Sequence, residues 1–401
     1  MAVASSTPGM GSLAGLHRAL MTQDQAKEAL AVAVIGVGGF GQWTLRALRA
    51  SPVVRVVGVS DRDGAVAEQA VRGTDIPHYG DNRSLLAETR PAAVYLAVPP
   101  MAAADLVELC AQRGVHLWKE MPLGRNLDEA VALVRLMEKA KLKFAVGTQR
   151  RFAVGYRRAW ELRRRLGPVF LGRAHYLFNW GSKLDWRGGR AACGGGALLE
   201  LGYHPIDLLT WLLGLPEEVY GHNVRERRAE SPAEGGGAPV PIYDTDDSAA
   251  AILQYRSGCM ASVVTTRRCG PVSEELTLHS HSGSLTACSE SCLLRDPDGA
   301  VLDQANDDGG PLGTFVRQAE AFARAVIGDD KRYECSGREN LLTQAAIEAI
   351  YLSSRTCQPE SPNRLLHTAG MSEEDCLSLR PAEENADKAA PAAAEETGQE
   401  D

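Results

Sequence analysis

The sequence predicts an α/β chain in two parts: a doubly wound parallel sheet, then an α+β domain with a large, open, mostly antiparallel sheet. Three observations carry this. The apolar run Ala31 to Ile35 leads straight into Gly36-Val37-Gly38-Gly39-Phe40-Gly41. Short apolar strands then alternate with helical patterns as far as Gln149. Beyond it, apolar residues recur at every second position between turns, the period of half-buried strands.

Residues 1 to 30 are an extension with a short helical pattern from Leu13 to Leu30 and no legible chemistry. The strand after it ends in a turn tight enough to need glycine at Gly36. Gly38 and Gly39 let backbone approach a pyrophosphate beside Phe40, and Gly41 lets the following helix, read over Gln42 to Leu48, pack on the sheet. The helix N-terminus then offers unpaired N–H groups to the phosphates. Val53 to Ser60 is a second strand ending at Asp61, placed to accept hydrogen bonds from a ribose 2′-hydroxyl. Together these form the Rossmann dinucleotide signature. Asp61 argues for NAD because it repels a 2′-phosphate, while Arg62 beside it keeps NADP open.

Strands follow at Ala93 to Val98, Val115 to Lys119 and Phe144 to Gly147, with helices at Ala102 to Arg113 and Leu127 to Lys141. This alternation makes a parallel sheet over residues 31 to 150, with the ligand across the strands' carboxyl ends and Val98, Pro99 and Pro100 shaping the loop beneath the nicotinamide. Residues 151 to 367 read differently. A basic helix, Tyr156 to Leu166, precedes strands at Val169 to Trp180, Ser248 to Tyr255, Cys259 to Thr266, Glu274 to Ser280 and Ser284 to Ala287. Arg225 to Pro241 reads as a long loop, and helices at Phe315 to Ile327 and Asn340 to Thr356 close the domain.

Of 401 residues 44% are apolar, enough for two cores. The formal charge of −8 sits in residues 371 to 401, which hold ten acids and two bases, leaving 41 of each sign elsewhere. The reading is a disordered acidic tail over 368 to 401 and a neutral body with no basic face for nucleic acid. No leader pattern or apolar stretch of membrane length is present, and nine cysteines without paired spacing fit a reducing compartment, so a cytoplasmic protein is expected. His279, His281, Cys288 and Cys292 match no common zinc spacing, and no metal is expected.

The second informative segment runs from Cys193 through three glycines to Glu200, His204 and Asp207. Spacings of four and three put these side chains on one helical face, among Leu198, Leu201, Leu208, Leu209 and Leu212. His204 titrates nearest neutrality and is the natural acid/base, oriented or polarised by Glu200. The alternative is a core histidine at a helix turn that Pro205 splits. Trp180, Trp186, Arg187 and Arg190, just before the glycines, would suit a ring bearing hydroxyls or an acidic group; otherwise they are packing and surface charge.

The glycine turn, the join Gly147-Thr148-Gln149-Arg150-Arg151-Phe152, the run Tyr156-Arg157-Arg158-Ala159 and the His204 helix, in that order, resemble the glucose-fructose oxidoreductase, inositol dehydrogenase and rhizopine catabolism (Gfo/Idh/MocA) family from about Ala31 to Pro359. The resemblance implies NAD(P)-dependent oxidation or reduction of a sugar, polyol or cyclic alcohol by a homo-oligomer that pairs its open sheets. It also implies cofactor contacts from Glu120, Met121, Pro122 and Gln149, and substrate contacts from Arg151, Tyr203 and Asp207. Two positions depart from the family pattern. Met121 stands where the family has a lysine that assists proton transfer and steadies an alkoxide, and Glu200 stands for an aspartate. Alternation along a strand would place Lys119 on the face of Met121, about 6.6 Å away, so Lys119 is expected to supply the missing cation. A protein that binds dinucleotide as a silent sensor or scaffold is the alternative the missing lysine leaves.

Overall fold

The computed structural model describes residues 29–181, 183–226, 243–307 and 310–381. The first sheet is built from β1 (Leu30–Ile35), β2 (Val54–Ser60), β3 (His78–Tyr79), β4 (Ala93–Leu96), β5 (His116–Lys119) and β6 (Phe144–Val146), in the order β3-β2-β1-β4-β5-β6 and parallel throughout. Helices α1 (Gly39–Ala50), α2 (Gly64–Val71), α3 (Asn82–Thr89), α4 (Ala103–Gln112) and α5 (Leu127–Lys139) connect the strands. Parallel strands need such crossovers and bury both faces, which is why β1 and β4 are almost entirely apolar. The order reverses beside β1, placing the switch point at the glycine turn.

After α6 (Val154–Leu166) comes the second sheet, ordered β14-β13-β12-β11-β7-β10-β9-β8. Its strands are β7 (Val169–Asn179), β8 (Glu218–Val224), β9 (Ser248–Gln254), β10 (Met260–Thr266), β11 (Arg268–Ser280), β12 (Gly283–Ala287), β13 (Ser291–Arg295) and β14 (Val301–Asn306). All pair antiparallel except β7 with β10, which run in register side by side as parallel neighbours. Alternate residues of β9 and β10 are buried against the helices, including Ala249, Ala251, Leu253, Ala261 and Val263. The opposite face leaves Tyr220, Ile252, Met260 and Val264 exposed.

The single helix expected around His204 is two: α8 (Ala197–Glu200) and α9 (Tyr203–Leu213), after the short α7 (Arg190–Cys193). Strands β3, β8, β13 and β14 and helices α2 and α3 escaped the sequence reading. β14, Val-Leu-Asp-Gln-Ala-Asn, is largely solvated and lacks an apolar stripe.

The chain then returns to the first domain. Helix α10 (Gly310–Ile327) buries Ala319, Phe322 and Ala323 against β1, β4 and β5 side chains. Helix α11 (Gly337–Thr356) places Leu341, Leu342 and Ala345 in the first domain's core and Ala346, Ile347 and Ile350 in the second's. One helix therefore belongs to both cores and fixes the cleft between them. The disordered tail read from residue 368 is corrected: α12 (Pro362–Thr368) and α13 (Glu373–Leu377) follow, and Leu366, Met371 and Cys376 are buried in the first domain's core. A capping box between Ser372 and Asp375 starts α13, so three of the tail's acids occupy a helix first turn where the dipole favours them. The N-terminal extension before residue 29, most of the loop after Arg225 and the tail beyond residue 381 lie outside the described residues.

Candidate active site

A cleft of about 320 Å³ lies across the carboxyl ends of β1, β4 and β5 and is closed on the far side by α8 and α9. Gly38, Gly39, Phe40, Gly41, Asp61, Val98, Pro99, Glu120, Met121, Pro122 and Gln149 line one part of it; Trp186, Arg187, Cys193, Glu200 and His204 line the other.

The glycine turn is shaped for a dinucleotide. A Cβ on Gly36, whose φ is +86°, would stand 2.2 Å from the Ala97 carbonyl, and one on Gly41 would stand 2.0 Å from the Gly36 carbonyl. Nothing lies within 4 Å of where a Cβ would project at Gly38 or Gly39, so those backbones face open space. Asp61 is held at the turn: its Oδ2 accepts from the Val37 amide at 3.0 Å and its Oδ1 from the Asp63 amide at 3.0 Å. Gln149 Oε1, buried and lining the cleft, has no hydrogen-bond partner. A bare cradle, a fixed acid and an orphaned acceptor fit a bound NAD(P). Arg62, beside Asp61, is exposed and does not line the cleft.

Beneath the cleft, Thr44 Oγ1 donates to the Tyr95 hydroxyl at 2.9 Å, and that hydroxyl donates to Glu120. Burial pushes the Glu120 carboxyl up to about 7, against the opposing hydrogen bond from Tyr95. Lys119 does not reach the cleft. Strand β5 ends at Lys119, so the alternation that would pair it with Met121 stops there. Its ammonium donates to the carbonyls of Glu120, at 3.0 Å, and Pro122 instead, and burial lowers it to about 8. Met121 lines the cleft and packs against both cores.

On the far side, His204 is 6% exposed, its Nδ1 has no partner, and the Tyr176 ring meets it edge-on at 5.5 Å. Burial, reinforced by the positive Arg150, lowers its imidazolium to about 3, so the ring is neutral at neutral pH. Among the described residues no hydrogen bond joins Glu200 to it; its Oε1 accepts from Arg187 Nε at 2.6 Å. Burial raises the Glu200 carboxyl while Arg187 opposes that. The Arg187 guanidinium lies 4.1 Å from the ring centre of Trp180 and 4.3 Å from that of Trp186. Trp180 thus backs the arginine and does not itself line the cleft.

Three expected substrate residues are elsewhere. Arg151 donates to both oxygens of Asp207, at 2.8 and 2.7 Å, and to Glu339 Oε1 at 2.7 Å, with all three side chains about 3% exposed or less. Tyr203 is fully buried and donates to Asn340 Oδ1 at 3.2 Å. Asp207 is absent from the cleft lining and meets Arg151 and Thr343 instead. The sequence reading missed Asp246, whose carboxylate accepts from the Gly196 and Leu198 amides, each at 2.8 Å, and from the Tyr351 hydroxyl at 2.7 Å. It caps α8 from a distant loop, and a Cβ on Gly196 would stand 1.9 Å from its carbonyl. The glycine run serves this close approach. Its one signal in the sequence was the acid cluster Asp244-Thr245-Asp246-Asp247.

A switch-point glycine cradle facing a second domain's polar wall defines a dinucleotide-dependent oxidoreductase. Comparison agrees: residues 30–148 match the oxidoreductase family with NAD-binding Rossmann fold, and 156–286 match the GFO/IDH/MocA C-terminal domain. The chain belongs to the Gfo/Idh/MocA family and is an NAD(P)-dependent oxidoreductase. It is 27% identical over 337 residues to D-xylose 1-dehydrogenase (NADP(+)) 2 of Haloferax volcanii, covering 80% of this chain and 97% of that protein. Inositol 2-dehydrogenase of Rhizobium meliloti is 26% identical over 339 residues, covering 80% and 95%. An NAD binding oxidoreductase from Klebsiella pneumoniae shares the fold at a TM-score of 0.74, with 19% identity and coverage of 83% and 99%.

Proposed function

We propose that the protein interconverts a secondary hydroxyl of a sugar, polyol or related cyclic alcohol and the corresponding carbonyl, with His204 as the group that takes the hydroxyl proton in the oxidation and returns it in the reduction. The supporting observation is the neutral imidazole lining the cleft that the glycine turn opens into, with its Nδ1 free of any protein partner. A neutral ring accepts a proton without first losing one, and the same burial that keeps it neutral also weakens it as a base. Bound NAD supplies the nicotinamide ring as hydride carrier. Gly38 and Gly39 would hold its phosphates and Asp61 its ribose hydroxyls, while buried Leu199 and Cys193 and partly buried Met121 would keep bulk water off the reacting atoms. With Arg62 turned to solvent and Asp61 at the turn, NAD is preferred over NADP.

The rival reading, a silent sensor, draws support from Met121 and from the capture of Lys119 by carbonyls. One assay separates them. Purified protein with NAD or NADP and a panel of sugars, inositols and sugar acids produces reduced cofactor on the dehydrogenase reading, and His204→Asn then lowers kcat roughly 1000-fold. Binding of NAD with no turnover across the panel favours the sensor. The exposed apolar face of β8, β9 and β10, with Tyr220 and Ile252 facing each other across the pair, is assigned to a second copy of the chain, which sedimentation would show as a dimer or larger. All nine cysteines are free, in keeping with a cytoplasmic setting, and no described helix is long and apolar enough to cross a membrane.

A further inference from the structure

Arg187 is the only lysine or arginine among the described residues that line the cleft, and it is built in. Its carbonyl accepts from Thr245 Oγ1 at 2.9 Å and from Arg267 Nη1 at 3.2 Å, which fixes the backbone. Its guanidinium is stacked near two indole rings, and Glu200 occupies the Nε edge. The terminal nitrogens have no hydrogen-bond partner among the described residues. A planar fork held on its faces and on one edge has its remaining edge preorganised for an oxygen ligand.

We propose that Arg187 is a catalytic residue that holds the substrate's reacting oxygen and steadies the negative charge arising there. This deepens the dehydrogenase reading and rests on it. In the oxidation, the carbinol carbon gives up its hydrogen with both electrons to NAD, the hydroxyl gives its proton to His204, and the C–O bond becomes C=O. Oxygen becomes more negative as its proton leaves, and a charged donor stabilises it most at that point. Arginine does not release a proton at working pH, so it holds while His204 moves the proton. Glu200, paired with this one cation on the same wall, offsets its charge, which disfavours an anionic substrate and points the fork at a neutral hydroxyl. Met121 can remain a thioether because the positive donor arrives from the opposite wall.

The test uses full-length protein saturated with NAD and its best polyol substrate. Arg187→Ala is expected to lower kcat on the order of 100-fold while calorimetric NAD affinity stays unchanged. Added guanidinium, at concentrations that leave the fold intact, is expected to restore part of kcat, and so is Met121→Lys in the Arg187→Ala background. Undiminished kcat in Arg187→Ala overturns the assignment. So does a loss that neither addition recovers in a protein that still binds NAD, because that pattern marks a structural arginine. If Arg187→Ala does not fold, Arg187→Gln, which keeps the stem and part of the stack, is read by the same criteria. No turnover of any polyol by the unmodified protein overturns the dehydrogenase reading itself, whereas undiminished turnover after loss of Arg187 overturns this inference alone.

Discussion

The two walls of the cleft are made of different material. The cofactor wall is built from a turn of glycines and the carboxyl ends of parallel strands, with Asp61 and Glu120 as its acids, in short segments spread from Gly38 to Gln149. The substrate wall is mostly side chain. Arg187, Glu200 and His204 are placed by partners far away in sequence, among them Asp246 capping α8 at Gly196, Thr245 and Arg267 holding Arg187, and Tyr176 against His204. A backbone-built site is fixed by where glycine is required. A site made of side chains depends on who pairs with whom, so a substitution on one wall, such as Met121, can be answered by a residue of the other.

Three experiments sharpen the contrast. The largest effect is expected from the cofactor wall. Gly41→Val pushes side-chain carbon into the Gly36 carbonyl and should cost at least about 3 kcal/mol along with NAD binding, read by thermal unfolding and calorimetry; retention of both would break the claim that this wall is sterically determined. Next, Asp207→Asn removes a charge from the buried Arg151 cluster and should cost about 3 kcal/mol of stability, because the arginine keeps only Glu339 and its neighbours to offset its burial. At temperatures where the variant is folded, its KM for the polyol should equal that of the unmodified protein. A raised KM would return Asp207 to the substrate wall.

The smallest effect concerns pH. His204 takes up a proton near 6.5 when unfolded but only near 3 when folded, so between those values the unfolded chain binds more protons. Its contribution to stability is complete above 6.5 and falls as the solution is acidified. Glu120 acts in the opposite sense, since its folded value of about 7 lies above the unfolded 4.5, and what it contributes at low pH is lost as pH rises through 7. His204→Asn removes only the first of these. Acidification from pH 7 to 5 should therefore destabilise the unmodified protein by about 2 kcal/mol more than the variant, measured by denaturant unfolding at both pH values. Equal losses would mean that the imidazole is hydrated and not held neutral by burial.

What could be read in advance follows the same division. Gly36 to Gly41, Asp61 and the strand and helix alternation declare themselves because each meets a local steric or periodic demand. His204 was legible for the same reason: a titrating side chain interrupts an apolar helix. Asp207 shared its predicted face and was misread, since helical spacing gives rotation about an axis but not depth below a cleft. Lys119 was misread because alternation holds only while the strand lasts, and β5 ends at that residue. The end of the chain misled through composition. Its acids suggested solvent, yet Met371, just before a short capped helix, and Cys376 on it are both buried in the first domain's core.

By itself the chain determined the parallel sheet, the switch point, the dinucleotide turn and the presence of an imidazole in the second half, because each is a property of neighbours along the backbone. Only the tertiary structure decided that Lys119 lies under the floor, that Arg151 and Asp207 hold the frame, and that Arg187 stands across from Met121. Charge pairs form by proximity in space, and α11, shared between two cores, sets which residues become near.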